Sequence, residues 1–301
     1  MTGSVKPHED PRKAAYESSW GEAFCLLVDL ISANPHLSLA EAQSKIIDDH
    51  TRKNAVESYS GYLHSFGHRY LLSRPVDSHL LQFYFNSAKQ SLLSLLCSAS
   101  PNIDWVLELG SGLGNNLFTA WNSLLPLSTR LYGYEYTYYG RATSKLLASL
   151  ERRLTFTSES INFKSVSPGF FPNFGGKGIG FTSYSIEQVD FISLDFIQAI
   201  AQTPGLEAFL HIEPVGWQTF NLNSTHAHKF RGDLDFSSFE KKPHYNQNLI
   251  SILLEAEARN IISIDYDISC INCLSHRANF PGSAIFWRPV KGLTNNDATR
   301  I

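Results

Sequence analysis

The 301-residue chain is 43% hydrophobic and carries a net charge of −3, so it can bury a substantial core and offers little electrostatic pull toward nucleic acid or an anionic membrane. No apolar run approaches the roughly 20 residues that span a bilayer. The polar lead-in lacks a signal-peptide core, and the four scattered cysteines form no disulfide framework, so a soluble, cytoplasmic protein is expected.

Residues 1–11 read as a disordered lead-in, with Pro7 and Pro11 in a polar context. Residues 12–100 then read as a helical cap. Apolar residues recur at helical spacing from Ala23 to Ile31, and Asn34-Pro35 ends that helix. Ser38 begins a second helix with Glu41 three residues on, the spacing of a capping box. Residues 59–70 are rich in aromatics and histidine but interrupted by Gly61 and Gly67, and residues 76–96 predict a third long helix.

From Ile103 the pattern becomes one of short apolar runs alternating with helices. Strands are predicted at 104–109, 130–135, 161–166, 179–184, 208–213, 261–267 and 283–288. Helices are predicted at 115–124, 140–150, 194–201 and 246–259. Such alternation implies an α/β domain, here 101–290, with a mostly parallel sheet covered by helices on both faces. Residues 216–245 form a long insertion after the fifth strand, and 291–301 a polar tail.

The first strand ends in Glu108-Leu109-Gly110-Ser111-Gly112-Leu113-Gly114-Asn115. A buried strand breaking into glycines and then into a helix is a nucleotide-binding arrangement. Glycine permits a sharp turn and close backbone approach, and the helix start offers free N–H groups. A dinucleotide fingerprint needs G-x-G-x-x-G, and Asn115 stands where its last glycine belongs. That counts against a nicotinamide-dependent oxidoreductase.

The observed acid-x-Gly-x-Gly-x-Gly pattern resembles the first motif of the class I S-adenosylmethionine-dependent methyltransferases, and the resemblance extends over about residues 104–290. It implies a Rossmann-like seven-stranded, mostly parallel sheet and S-adenosyl-L-methionine as cofactor. It also assigns Glu108, Gly110, Ser111, Gly112, Gly114 and Asn115 to cofactor binding. Glu135 ends the second strand about 20 residues after the glycine turn, the offset of a ribose-binding acid. After the third strand the family places an acid and an apolar residue around the adenine. Here the acid is missing from Ser167-Pro168-Gly169-Phe170-Phe171, leaving Phe170 as a stacking candidate or a packing residue. The fourth strand runs into Tyr184-Ser185-Ile186-Glu187-Gln188. In the family this region faces the methionine part of the cofactor, so Tyr184 and Ser185 become contacts, with Glu187 and Gln188 serving the pocket or capping a helix.

Methyl transfer requires alignment of the nucleophile and, for a hydroxyl, removal of its proton. His211 and Glu213 alternate on the fifth strand and share one face. They are the catalytic pair expected of the sequence, histidine as base and glutamate as its partner or a substrate anchor. Acceptor-side candidates are Tyr62, His64 and His68 in the cap and Trp217 and His226 in the insertion. No metal is expected: Cys270-x-x-Cys273 with His276 lacks a second cysteine pair, and Tyr184-Ser185 stands where metal-dependent members carry acids.

The function expected is methyl transfer to an oxygen or nitrogen of a small molecule, with no nucleic-acid or membrane partner and a homodimer left open. The alternatives are a peptide or protein methyltransferase, or a methyltransferase-like binding module without catalysis.

Overall fold

A computed structural model describes residues 11–58, 89–98, 100, 102–215, 218, 245–271 and 282–291, with backbone alone at 50–58, 266–271 and 282. Two helices open the chain, α1 (Pro11–Ala33) and α2 (Leu39–Ser58). Residues 89–98 form a third, α3. The α/β part follows as β1 (Trp105–Leu109), α4 (Asn115–Ser123), β2 (Arg130–Glu135), α5 (Tyr138–Ala148), β3 (Phe156–Ser160), β4 (Gly178–Ser183), α6 (Leu194–Ala201), β5 (Leu206–Glu213), α7 (Leu249–Ala258), β6 (Ile262–Ile271) and β7 (Gly282–Pro289).

The capping box at the start of α2 is present. The Ser38 N–H and hydroxyl both donate to Glu41 Oε2, at 3.0 and 2.7 Å, and the Glu41 N–H returns to Ser38 Oγ at 3.3 Å. Side-chain caps also fix α5, where Thr137 Oγ1 accepts from the Gly140 N–H, and α6, where Ser193 Oγ accepts from the Phe196 N–H.

The seven strands lie in the order β3-β2-β1-β4-β5-β7-β6. All neighbours from β3 to β5 are parallel, and β7 runs antiparallel between β5 and β6. Central β1 is buried at every residue, as an apolar strand covered on both faces must be. On one face Val106, Leu131, Ile179, Phe181, Leu210 and Phe286 pack with residues of α1, α2, α3 and α4. On the other, Trp105, Leu107, Leu109, Phe209 and Trp287 pack with α6 and α7.

The third strand departs from expectation. It runs over Phe156–Ser160 rather than 161–166. β3 is the sheet edge, where Thr157, Glu159 and Ser160 are exposed and only Ser158 is buried, so its composition hides it. Ile161 and Phe163 look strand-like by alternation, yet Asn162 accepts the Lys164 N–H at 3.1 Å and turns them into a single 3₁₀ turn, Phe163–Ser165.

Candidate active site

Strand order reverses between β1 and β4, because the chain leaves β1 toward β2 and β3 and returns to β4 on the other side. Open α/β sheets bind ligands outside the carboxyl ends of their strands at such a point. A cleft of about 670 Å³ lies there, within the size range of small-molecule sites. Its walls come from the ends of β1, β2, β3, β4 and β5 and the segments that follow them, and from α1, Lys89 and Tyr245.

The glycine turn supplies one wall through Gly110, Ser111, Gly112 and Asn115. All three glycines have positive φ. Gly110 is the most constrained, since a Cβ there would lie 2.2 Å from Ser185 Cβ. Gly114 sits at the N-cap of α4, where a Cβ would meet the Phe118 ring at 2.8 Å, so it shapes the turn without lining the cleft.

Glu135, 7% exposed, faces the turn from the end of β2. Its Oε2 accepts the Gly112 N–H at 2.9 Å, and its Oε1 accepts the Thr137 N–H and hydroxyl at 2.9 and 2.7 Å. The carboxylate is therefore fixed in orientation before any ligand arrives. From the end of β4 come Ser183, Tyr184, Ser185, Glu187, Gln188 and Val189. Tyr184 takes a φ of 55°, a conformation rare outside glycine and held here by its surroundings.

Glu213 does not reach the cleft. It is fully buried and accepts the N–H groups of Ser185, Ile186 and Glu187 at 3.1–3.3 Å. Burial pushes it up to about 7, against the Thr182 hydroxyl and those N–H groups, which favour the ionised form. Its role in the structure is to hold the turn that presents Tyr184 to Gln188.

His211 is also fully buried and absent from the cleft wall. It lies among Phe209 and Trp287 on the α6/α7 face, with Nδ1 2.9 Å from Thr182 Oγ1. Burial holds it down to about 3. The shared face inferred for His211 and Glu213 is correct, but it turns beneath the helices rather than toward the cleft, so His211 cannot meet a substrate as a base.

Two further expectations change. Glu108 is fully buried behind the turn, with Oε1 accepting from Asn116 Nδ2 at 2.7 Å. Burial pushes it up to about 8. Phe170 lies outside the cleft, edge-on to Phe171. Because β3 ends at Ser160, the residues that follow it onto the wall are Ile161, Asn162, Phe163 and Lys164. Tyr62, His64, His68, Trp217 and His226 lie outside the described residues.

A helical cap was expected over 12–100, but no residue of α1 was among the site candidates read from the sequence. Arg12, Lys13, Tyr16 and Trp20 of α1 all line the cleft, so α1 covers the chain's own site. Glu17 fixes it by accepting the Tyr138 and Tyr139 N–H groups, at 2.7 and 3.0 Å, at the start of α5. Arg12 donates to the Gln188 carbonyl and stands over the Tyr245 ring. The Tyr16 hydroxyl is pushed up to about 12 by burial and by the charge of Glu187, partly offset by Arg12. A row of one-per-turn contacts, Tyr16 and Trp20 among them, was the available signal, but it reads as ordinary core packing.

The parallel strands, the antiparallel β7 and the glycine turn at the switch point settle the architecture. The fold is the Rossmann-like, seven-stranded, mostly parallel sheet expected from the sequence. No family model matches the chain, and no curated protein does. Solved structures of methyltransferases are similar to the chain at a distance. Geranyl diphosphate C-methyltransferase from Streptomyces coelicolor A3(2), solved with Mg2+, geranyl diphosphate and S-adenosyl-L-homocysteine, is 13% identical over 68% of this chain and 79% of its own, with a TM-score of 0.46. The CcbJ methyltransferase from Streptomyces caelestis is 13% identical over 67% and 88%, with a TM-score of 0.41. Magnesium protoporphyrin IX methyltransferase from Synechocystis PCC 6803, solved with SAH, is 10% identical over 81% and 98%, with a TM-score of 0.43. Likeness this remote says nothing of substrate. Among the described residues, no helix is long and apolar enough to cross a membrane, and no group of three His, Cys, Asp or Glu could hold a metal ion.

Proposed function

We propose that the protein transfers a methyl group from S-adenosylmethionine to an oxygen or nitrogen of a small molecule. The observation that carries this reading is the meeting of Glu135 with the glycine turn in one cleft at the carboxyl ends of parallel strands. A fixed carboxylate suits a ribose hydroxyl, since Gly112 and Thr137 orient it and leave Oε2 an acceptor position for a hydroxyl proton. Residues of the cleft fit the cofactor in other respects. Ser111 Oγ and Ser183 Oγ are buried on its wall without a hydrogen-bond partner. Gly112 leaves room beside it, the nearest atom to a Cβ there being 3.5 Å away in the Trp20 ring.

In this reading Glu135 holds a ribose hydroxyl, and Asn162 and Phe163 serve the adenine, the amide replacing the family's acid. Ser183 to Gln188 lie along the methionine part. Bound S-adenosylmethionine supplies an electrophilic methyl group on a sulfonium. The chain's own work is then to align the acceptor and keep water out. Tyr16, Trp20 and Tyr245 supply aromatic surface for this, and Glu187 supplies a carboxylate that can take a released proton. Tyr62, His64, His68, Trp217 and His226 remain proposals for the acceptor side, as do the cytoplasmic setting and a homodimer.

The test is calorimetry with S-adenosylmethionine and S-adenosylhomocysteine, followed by transfer of a labelled methyl group to metabolite extracts and identification of the product by mass. Saturable binding and a labelled small molecule are expected. A folded protein that binds neither ligand would overturn the reading.

A further inference from the structure

The roof helix α1 is a ruler laid along the cleft. Arg12, Tyr16 and Trp20 follow one another at four-residue spacing on one helix face, about 6 Å apart along the axis, and all three line the wall. Trp20 marks the end at the glycine turn, where a Cβ on Gly112 would lie 3.5 Å from its ring. Arg12 marks the other end, where it donates to the Gln188 carbonyl and stands over the Tyr245 ring. Tyr16 falls between them, its ring centroid 5.9 Å from that of Trp20. In the cofactor reading the glycine-turn end belongs to the adenosyl ligand. The stretch from Tyr16 to Arg12 is left for the acceptor.

The charged groups acting on Tyr16 are Glu187, Arg12 and Glu135. Burial and the Glu187 charge push its hydroxyl up to about 12, so it keeps its proton at neutral pH and is no base. Its oxygen still accepts a hydrogen bond. Among the described residues, no histidine or cysteine lines the cleft, and a carboxylate is too weak a base to ionise an alcohol. An uncharged amine needs no such base, because its lone pair is already available. Two carboxylates around the Tyr16 hydroxyl attract the positive hydrogens of an amine. The Tyr16 and Trp20 rings suit both its charge and an apolar ring attached to it. Arg12 offsets part of the negative field. That offset matters, since an amine held permanently as an ammonium has no lone pair with which to attack.

We propose that the methyl acceptor is a primary or secondary amine carrying an apolar ring, and that the Tyr16 hydroxyl oxygen accepts its N–H and orients the nitrogen. This rests on the cofactor reading above and narrows its acceptor to nitrogen. The nitrogen lone pair forms the new N–CH3 bond as the S–CH3 bond breaks, and the electron pair of that bond stays on sulfur as a neutral thioether. The N-methylated ammonium then passes its proton to Glu187.

The experiment saturates the full chain with S-adenosylhomocysteine and titrates it by calorimetry with three probes of similar shape: benzylamine, benzyl alcohol and benzoate. Wild type is expected to bind benzylamine about tenfold or more tighter than either of the others. Tyr16→Phe keeps the ring and removes the hydroxyl. It should cut the preference to about threefold or less while S-adenosylhomocysteine affinity stays within about twofold. A loss of both affinities together would mean that Tyr16 only packs the roof, and overturns the proposal. So does a loaded wild type that does not bind benzylamine, or one that prefers benzoate, which would place an acceptor anion against Arg12. Where Tyr16→Phe does not fold, the wild-type ranking of the three probes decides. In transfer from labelled S-adenosylmethionine to metabolite extracts, the label is expected on nitrogen, and a methyl ether as product overturns the amine assignment. Each of these failures leaves the cofactor reading standing; a folded chain that does not bind S-adenosylhomocysteine removes both.

Discussion

Three buried ionisable side chains carry different burdens. Glu135 is set by hydrogen bonds from Gly112 and Thr137. Its replacement by alanine should weaken S-adenosylmethionine by about 1.5–3 kcal/mol, the scale of a charged hydrogen bond. Calorimetry measures this, and an unchanged affinity would mean that the ribose lies elsewhere. His211 is held down to about 3 from 6.5 by burial. Its unfolded form takes up a proton as pH falls below 6.5 and its folded form does not, so the stability it contributes is present above 6.5 and lost toward 3. Glu108 is raised to about 8 from 4.5. Its unfolded form ionises above 4.5 while the folded form keeps its proton, so that stability is full below 4.5 and lost as pH rises through 8. Glu108→Gln keeps an acceptor for Asn116 and removes the titration. Urea unfolding should therefore show a flatter profile for the variant than for wild type between about pH 4.5 and about pH 8. Parallel profiles would show that Glu108 is ionised in the folded protein.

At the scale of elements, the cleft depends on pieces brought to it by others. The turn after β4 is held from beneath by Glu213. Glu213→Ala leaves three N–H groups without that acceptor, and denaturant unfolding should show a loss of about 3 kcal/mol or more. The roof helix α1 is fastened to the start of α5 by Glu17. Glu17→Ala should cost about 1 kcal/mol and raise amide exchange in residues 11–20 without changing exchange in β1. Equal protection in both proteins would mean that α1 is held by its apolar contacts alone. The elements were mostly legible. β2 and α6 begin and end as the sequence predicts, and Ser38 and Glu41 form the capping box their spacing implies. β3 was not legible, because an edge strand of polar residues lacks an apolar signature. That displacement by several residues moved the expected adenine wall from Ile161–Phe163 to Phe170. His211 misled for a related reason: alternation along β5 gives which residues share a face, but not which face meets the ligand. Arg12 and Tyr16 were invisible as site residues because they lie over 90 positions before the glycine turn and meet it only through tertiary packing.

At the scale of the molecule, the sheet decides where chemistry can occur. Parallel β1, β2 and β4 end together, and the loops that follow them close on one cleft at the switch between β1 and β4. α1 covers that cleft within the same chain, so the roof does not require a second copy. The central claim is that this cleft takes an S-adenosyl ligand rather than a dinucleotide. The most direct measurement is calorimetric titration of the wild-type chain with S-adenosylhomocysteine and, in parallel, with NADH. Saturable one-to-one binding of the first and none of the second is the predicted result; a folded protein that binds NADH and neither S-adenosyl ligand would contradict the account.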